Sequence, residues 1–337
     1  MKSLRTFSTR TDTVRFFAVL GAVTLIAAVL SISLGPVSIA PWDVIRALIK
    51  GEGGTNAQIV LYARLPRTAG CILAGAALAV SGAITQSVLA NPLAAPSTIG
   101  VNSGAGLAAA VCCAVAPTAQ AALPIAAFAG AMAAAMLVLF IAERTGAAKI
   151  TLVLAGVAIS NILAAGVDAV VTFAPEALNA YSDFRIGSLQ NLTLGRLAAP
   201  AIVTAIALIA AFTLTNELDV LMLGGETAES LGLRAGRMRI VLLAVAAALA
   251  GAAVSFAGLL GFIGLVAPHI MRRFTGDEAR LLLPASALGG AAMLLVCDLA
   301  SRMLFAPYEL PVGITLSLIG GPFFIWLLLR QRRGRTV

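Results

Sequence analysis

The sequence offers few side chains that could break bonds or hold a metal ion. Its single histidine, His269, follows Pro268 and has no second candidate ligand nearby. The four cysteines lie in apolar runs, without CxxC spacing or histidine neighbours, at positions 71, 112, 113 and 297. A zinc site needs three or four clustered Cys, His or carboxylate ligands. We therefore predict no catalytic site, no metal site and no disulfide framework in this chain.

Lysine placement bears on energy coupling. The chain has three lysines, Lys2, Lys50 and Lys149, and none stands in the GxxxxGK[ST] context of a phosphate-binding loop. We therefore expect that this chain is not an enzyme and binds no cofactor of its own. If ATP drives its activity, the ATPase is a separate subunit.

One acidic residue, Asp168, interrupts a long apolar run. A carboxylate inside a membrane can relay protons, so a proton-coupled secondary transporter is the alternative function for this chain. Asp168 follows Ile150 by 18 residues, which is roughly 27 Å along a helix and close to the outer surface of a ~30 Å bilayer core. This position favours a solvated residue at the mouth of a pathway.

Composition shows what kind of element must carry these residues. Of 337 residues, 60% are apolar and 11% are charged, whereas about 25% of the residues in a soluble domain are charged. This excludes a water-soluble fold. The formal charge of +8 accompanies only 6% aromatic residues. We therefore attribute it to basic cytoplasmic loops and expect no nucleic-acid partner.

Apolar runs predict the transmembrane helices, because a span needs roughly 20 apolar residues. Nine runs lie at about 16–34, 67–90, 98–116, 121–142, 150–173, 197–215, 239–267, 280–305 and 312–329. The run 239–267 continues through Pro268 and is best divided into a full span and a short second one. The predicted fold is an all-α integral membrane protein with about ten transmembrane helices.

The basic residues predict the orientation of these spans. With both termini in the cytoplasm, 16 of the 23 Lys and Arg residues fall inside and seven outside, which satisfies the positive-inside rule. A cleaved signal peptide is the alternative for the first run, but that run exceeds the usual signal length. We predict one transmembrane domain over 1–337, with cytoplasmic tails at 1–15 and 330–337.

Small residues and helix breakers predict how the spans pack. Alanine and glycine fill stretches such as 75–77, 104–106 and 129–131, and small residues let helices approach closely in lipid. Breakers stand at Asn91-Pro92, Pro96, Gly258, Gly261, Gly264 and Pro268. Irregular backbone at membrane depth is tolerated where it is buried or lines a cavity. We therefore expect a compact bundle around a translocation path.

The stretch 216–237 is too polar to cross a membrane. Glycines at 224, 225 and 232 divide it, and acidic residues follow Gly225. This pattern predicts short helices on the cytoplasmic side. An ordinary amphipathic surface helix is the local alternative.

Short motifs between about residues 64 and 330 carry a family resemblance. They are Arg64-Leu65-Pro66-Arg67; Ser81-Gly82 with Gln86; Asn91-Pro92-Leu93-Ala94 with Pro96 and Gly100; Leu154-Ala155-Gly156-Val157; Gly187-Ser188-Leu189; Leu223-Gly224 with Ala228 and Leu231-Gly232; Phe262 to His269 with Arg272; Asp298 with Arg302; and Glu309-Leu310-Pro311-Val312-Gly313. Each motif is weak alone, but their ordered set is specific. The chain resembles the membrane permease subunits of type II ABC importers, which handle iron-siderophores, haem and cobalamin.

The resemblance implies that the domain over 1–337 is a permease domain in the bacterial inner membrane and that it works in a complex with several partners. These are a second permease subunit, identical or paralogous, two cytoplasmic ABC ATPases that use ATP, and a periplasmic or lipid-anchored binding protein that delivers the ligand. The resemblance implies a ferric siderophore as the first candidate ligand, followed by haem and cobalamin.

The resemblance also implies roles for individual residues. The stretch 216–237 matches the family's coupling helices, which dock on the ATPase, and is called the coupling segment below. Its matching residues are Leu223, Gly224, Ala228, Leu231 and Gly232. The residues matching the cytoplasmic gates are Asn91, Leu93 and Thr151. The arginines matching docking points for acidic residues of the binding protein are Arg64, Arg67 and Arg302.

Local chemistry leaves ordinary alternatives for two of these groups. Asn91-Pro92 suits a simple turn between spans. Arg64 and Arg67 flank Pro66 at a span boundary, where interfacial arginines are common. Arg302 could pair with Asp298 four residues earlier on a helix.

Overall fold

The structure is a computed structural model that describes residues 10–35, 37, 39–50, 54–119, 121–145, 149–304 and 308–333. Every regular element in these ranges is helical. The helices are α1 (Arg10–Ser33), α2 (Pro41–Lys50), α3 (Gly54–Gln58), α4 (Leu65–Leu89), α5 (Val101–Val115), α6 (Ala122–Arg144), α7 (Lys149–Phe173), α8 (Ala177–Ile186), α9 (Leu194–Thr213), α10 (Thr215–Met222), α11 (Gly225–Ser230), α12 (Ala235–Ala257), α13 (Ile263–Thr275), α14 (Ala279–Met303) and α15 (Val312–Arg333). A π-helical segment, Ile59–Arg64, leads into α4, and a 3₁₀ turn, Pro96–Ile99, precedes α5.

Seven helices in the described ranges are long and apolar enough to cross a membrane. Two shorter apolar helices, Val101–Val115 and Val312–Trp326, accompany them. Helix α13 has 13 residues. These ten helices correspond in order to the predicted spans, and the ten-span count stays a prediction. The predicted cytoplasmic tails lie mainly outside the described residues, at 1–9 and 334–337.

The long run 239–267 is divided between two helices, as expected. Helix α12 ends at Ala257 and α13 begins at Ile263. At Gly258 φ is +73°, and a Cβ there would collide with the backbone of Phe184. The division lies before Gly264 and Pro268, both of which are inside α13. Two of the expected breakers therefore do not interrupt a helix.

Close backbone contacts hold the centre of the bundle. The candidate span that ends with α4 is the most enclosed: 83% of its 18-residue apolar stretch is buried. In α7, 11% of the corresponding 18-residue stretch is buried. Gly75 of α4 faces Gly290 of α14, and Gly104 of α5 faces Gly130 of α6. A Cβ at any of the four would overlap the facing backbone or its alanines. The predicted packing through small residues is present at both contacts.

Helix α14 joins the two ends of the bundle, and each end carries candidate site residues. The amide of Ala279, at the start of α14, is hydrogen-bonded to Asp219 of the coupling segment, and we call this the coupling end. Arg302 is in the last turn of α14 and meets Arg67 through a shared carboxylate, and we call this the arginine end. Arg302 follows Ala279 by 23 residues on α14, so the two ends lie about 35 Å apart along this helix.

Candidate functional site

Three arginines converge at the arginine end. Arg64 ends the π-helical segment, Arg67 lies in the first turn of α4, and Arg302 lies in the last turn of α14. They are 6%, 9% and 3% exposed. The sequence analysis grouped these three residues, and the structure brings them together across more than two hundred residues of chain.

Two carboxylates neutralise part of this charge. The fully buried Asp298 lies between two guanidinium groups, with Oδ1 2.9 Å from Arg67 Nε and Oδ2 3.1 Å from Arg302 Nε. Glu309 Oε2 lies 2.6 Å from Arg67 Nη1. The pair of Asp298 and Arg302 proposed on local grounds is therefore present. Three arginines against two carboxylates leave an excess of one positive charge.

The remaining donors of the cluster bind carbonyl groups at the end of α1. Arg64 Nη1 donates to the carbonyls of Ile32 and Ser33, at 2.9 and 2.6 Å. Arg302 Nη2 donates to the carbonyl and hydroxyl oxygens of Ser31, at 3.1 and 3.0 Å. The last carbonyls of a helix have no partner inside the helix, and cations near them are stabilising. The arginines thus join α1, α4 and α14.

A cleft of 660 Å³ opens beside the cluster. Its lining includes Arg64, Arg67, Arg302 and Glu309 together with Tyr62. The cluster is therefore reachable from the arginine end, although each guanidinium already has partners within the chain. Sequence reasoning quoted Glu309 only as part of a motif, and it missed the contacts with α1, which no local pattern marks.

The coupling segment folds into two short helices with exposed leucines. Leu223 and Leu231 are each 63% exposed, whereas Ala228 is fully buried against the bundle. At Gly224 and Gly232 φ is +108° and +86°, and the space around a Cβ at either is open. Glycine is therefore needed at these positions because φ is positive, and not because another group lies close to the backbone.

The end of α11 shows why Gly232 is needed. The Gly232 amide donates to the Glu229 carbonyl and the Leu233 amide donates to the Ala228 carbonyl, both at 2.9 Å. This is the Schellman arrangement, which places the residue after the helix in the left-handed region. It turns the chain sharply from α11 towards α12 and leaves Leu231 exposed at the turn.

A side chain from the coupling segment caps α14. Asp219 Oδ1 accepts a hydrogen bond of 2.8 Å from the amide of Ala279, the first residue of α14. Burial raises the pKa of Asp219 above its usual value, and the bond from Ala279 partly offsets that shift. The cap joins the coupling segment to the helix that carries Asp298 and Arg302. Sequence analysis missed it because the two residues lie 60 positions apart.

The residues matched to the gate lie at the coupling end, in the connection after α4 and at the start of α7. Asn91 is exposed, and its Oδ1 accepts a hydrogen bond of 2.9 Å from the Leu93 amide. This is the turn expected on local grounds. Thr151 lies in the first turn of α7, and Gly156 one turn further packs against the carbonyl of Thr98. The 3₁₀ turn after Leu93 therefore contacts α7 near Thr151.

Helix α7 presents a short polar stripe in the second half of its exposed side, and the first half of that side carries exposed apolar residues such as Leu154. Asn161, Asp168 and Thr172 are all exposed, and their spacing places them on one side of the helix. Asp168 lies five residues before the end of α7 at Phe173, near the arginine end. No group of three or more His, Cys, Asp or Glu side chains that could hold a metal ion occurs in the part of the chain that the structure describes.

Comparison with known proteins gives consistent matches over nearly the whole chain. The profile of the FecCD transport family matches residues 23–330. The Fe(3+)-citrate import system permease protein YfmE of Bacillus subtilis is 40% identical over 318 residues, covering 94% of this chain and 95% of the relative. The Iron(3+)-hydroxamate import system permease protein FhuB of the same organism is 38% identical, covering 92% and 81%.

Two further matches come from another bacterium and from a solved structure. The Hemin transport system permease protein HmuU of Yersinia pestis is 38% identical over 290 residues, covering 83% of this chain and 85% of the relative. A solved structure superposes with a TM-score of 0.83 at 25% identity, covering 94% of this chain and 99% of the other. It is described as an inward-facing conformation of a transporter assigned to the metal-chelate type of ABC transporters.

Proposed function

This chain belongs to the FecCD transport family, and on that premise we propose that it carries a ferric chelate across the bacterial inner membrane. It is a multi-pass membrane protein and a permease subunit of an ABC importer. The observation that carries the cargo proposal is the agreement of relatives whose names state ferric citrate, ferric hydroxamate and hemin. A ferric siderophore is the first candidate, haem the second and cobalamin the third.

Uptake of radioactive iron tests the cargo and the energy source together. The chain would be produced with its ATPase and binding protein in a strain that lacks its own ferric-chelate permeases. We expect uptake of iron from a ferric siderophore, and loss of that uptake when the ATPase is inactivated. Uptake that survives without the ATPase but stops when a protonophore is added would instead support the proton-coupled alternative with Asp168.

We propose that the exposed stripe of α7 faces a second permease subunit, identical or paralogous. A carboxylate such as Asp168 is costly against lipid and is tolerated beside a water-filled cavity. Asn161 and Thr172 share this side of α7, so two facing copies would enclose a polar conduit. In this arrangement Asn91, Leu93 and Thr151 form the cytoplasmic gate.

The coupling segment is proposed to dock on a separate ATPase subunit, with two ATPases per importer. The exposed Leu223 and Leu231 supply apolar contacts, and Ala228 anchors the segment to the bundle. Gly224 and Gly232 hold the two turns that present these leucines. In this orientation the coupling end is cytoplasmic, and a total of ten spans would put both termini on that side. A reporter fused after Val337 that was active only outside the cell would contradict this topology.

The arginine end is proposed to receive the binding protein. Arg64, Arg67 and Arg302 border the 660 Å³ cleft, and their charge exceeds that of Asp298 and Glu309 by one. A carboxylate of the binding protein could enter the cleft and take up that excess. Guanidinium groups suit this contact because their planar donors fit carboxylates.

A further inference from the structure

Helix α2 forms a small hydrophobic cluster of its own at the arginine end. Its buried side, Val44 and Ala47, packs with Ile39, Ala57 and Val60, and Ile32 of α1 contacts the same cluster. This cluster is separate from the main core. Helix α2 is therefore held firmly next to the end of α1 at Ser33, and it begins eight residues later at Pro41.

The opposite side of α2 is apolar and exposed. Trp42, Ile45 and Ile49 are 62%, 45% and 77% exposed, and their spacing of three and four residues places them on one side. The guanidinium of Arg46 lies over the Trp42 ring, 5.7 Å from its centre. No other described part of the chain covers this side. A helix that faced only water would carry polar residues at these positions.

The position of α2 along the membrane normal indicates what covers this side. Helix α1 carries exposed apolar residues up to its last turn, including Ile26, Val29 and Leu30, so its outward surface is in contact with lipid. Helix α2 begins eight residues beyond the end of α1 and contacts α1 through Ile32, so a membrane that α1 crosses would have its boundary between hydrocarbon and headgroups close to α2. Tryptophan is enriched at this level, and arginine there reaches lipid phosphates.

We propose that α2 is an interfacial helix that inserts Trp42, Ile45 and Ile49 into the lipid leaflet at the arginine end. Arg46 lies at the level of the phosphate groups and stacks on Trp42. The occupant of this apolar side is the membrane lipid itself, not a protein partner. The inserted helix supports the connection between α1 and the π-helical segment, and therefore the position of Arg64. This inference is independent of which cargo the importer carries.

The chain has two tryptophans, Trp42 and Trp326, so a single substitution isolates the probe. The full chain with Trp326→Phe would be placed in nanodiscs whose lipids carry bromine near the headgroup or deep in the acyl chain. We expect strong quenching of Trp42 fluorescence by the shallow bromine, weaker quenching by the deep bromine, and little quenching by aqueous iodide. The matched variant Trp42→Phe retains Trp326, which lies on α15, and measures the background.

A second variant pair tests insertion without removing the probe. Replacing Ile45 and Ile49 with serine in the Trp326→Phe background removes two apolar side chains that are exposed in the protein. We expect the folded chain to keep its thermal stability while shallow-lipid quenching falls at least about twofold, because insertion depends on apolar area. Trp42 that is quenched by iodide and not by either bromolipid would overturn the proposal. The same holds if Trp42 becomes protected only when the binding protein is added.

Discussion

Asp298 is the residue through which the arginine cluster is held together. It is completely buried and joins Arg67 to Arg302, which come from helices far apart in sequence. A buried ion pair adds little by itself, but removing one partner leaves an unpaired buried charge. The stability of the arginine end therefore depends on Asp298 more than on Glu309, whose side chain is 28% exposed.

We predict that Asp298→Ala destabilises the folded chain by about 3–5 kcal/mol, because Arg67 and Arg302 lose their shared anion. Glu309→Gln is the matched control and should cost about 1 kcal/mol or less, since its carboxylate is partly solvated. Thermal unfolding in the same detergent measures both. Equal stability of the two variants would show that Asp298 does not organise the cluster.

Arg64 is the arginine that best tests docking, because carbonyl groups and not carboxylates accept its hydrogen bonds. Its removal leaves no buried anion unpaired. We predict that Arg64→Gln weakens association with the binding protein about tenfold and reduces the dependence of that association on salt. Binding would be measured by surface plasmon resonance at several salt concentrations.

Arg185→Gln is the control for this prediction. Arg185 is an exposed arginine in the last turn of α8, and its replacement makes the same change in net charge. If both variants weaken binding equally, the effect arises from general electrostatic attraction and docking at Arg64 is rejected.

At the scale of elements, two devices set the geometry of the coupling end. One is the cap that Asp219 provides to α14, and the other is the pair of glycine turns that present Leu223 and Leu231. The cap acts on the position of α14. The turns act on the shape of the docking surface. The two devices can be altered separately.

For the cap, we predict that Asp219→Ala lowers stability by about 1 kcal/mol, whereas Asp219→Asn retains the acceptor for the Ala279 amide. Burial raises the pKa of Asp219 in the folded state, so the folded state binds this proton more tightly than the unfolded state. The stability contributed by Asp219 therefore decreases as pH rises from its unfolded pKa through its folded pKa.

This sign gives a measurable pH dependence. As pH rises through the acidic range, the stability of the Asp219→Asn variant should increase relative to that of the unsubstituted chain. At neutral pH the variant should be at least as stable as the unsubstituted chain. Thermal unfolding followed across that range compares the two chains. A gain in the opposite direction would mean that the charged carboxylate is favoured at the cap.

For the turns, we predict that Gly224→Val or Gly232→Val uncouples ATP hydrolysis from uptake while the permease stays in the membrane. A β-branched residue at positive φ costs about 1–2 kcal/mol and shifts the backbone, which moves Leu223 or Leu231. ATPase and uptake assays on the same reconstituted importer measure the loss of coupling. Gly195→Val at the start of α9 is the control, because its Cβ position is open, its φ is not positive and it lies outside the coupling segment. Normal coupling in the two turn variants would reject docking through these turns.

At the scale of the whole molecule, the least buried candidate spans indicate where the chain meets its surroundings. Only 11% of the 18-residue apolar stretch of α7 is buried, yet α7 carries a carboxylate on its exposed side. Ile162 is 66% exposed on an adjacent side of the same helix. In the second half of α7, one side thus suits water and the next suits lipid, as expected for a helix at the edge of the proposed conduit between two permeases.

We predict that Asp168→Cys reacts with a water-soluble thiol reagent in the assembled importer and that Ile162→Cys does not, because lipid covers Ile162. The measurement needs a background in which the four native cysteines are replaced by alanine or serine. Mass spectrometry reports the labelled fraction. Equal labelling at both positions would show that α7 does not separate water from lipid, and the proposed pathway along it would be wrong.

Local residue patterns were sufficient to determine the class of this protein, its family resemblance and the division of residues 239–267. Composition shows whether a chain partitions into water or into lipid, and apolar runs depend on neighbours in sequence. Both can therefore be recognised without coordinates. The two glycine turns of the coupling segment were recognisable for the same reason, because they are properties of the local backbone. The individual motifs were also local, and only their order along the chain carried the resemblance.

The tertiary structure decided which distant groups meet. It joined Arg67 to Asp298 across 231 positions, directed Arg64 towards carbonyl groups of α1, and brought Asp219 to the start of α14. It also decided that α4 is central and that α7 is peripheral. These outcomes depend on how helices pack against one another, and residues so far apart influence each other only after that packing has formed.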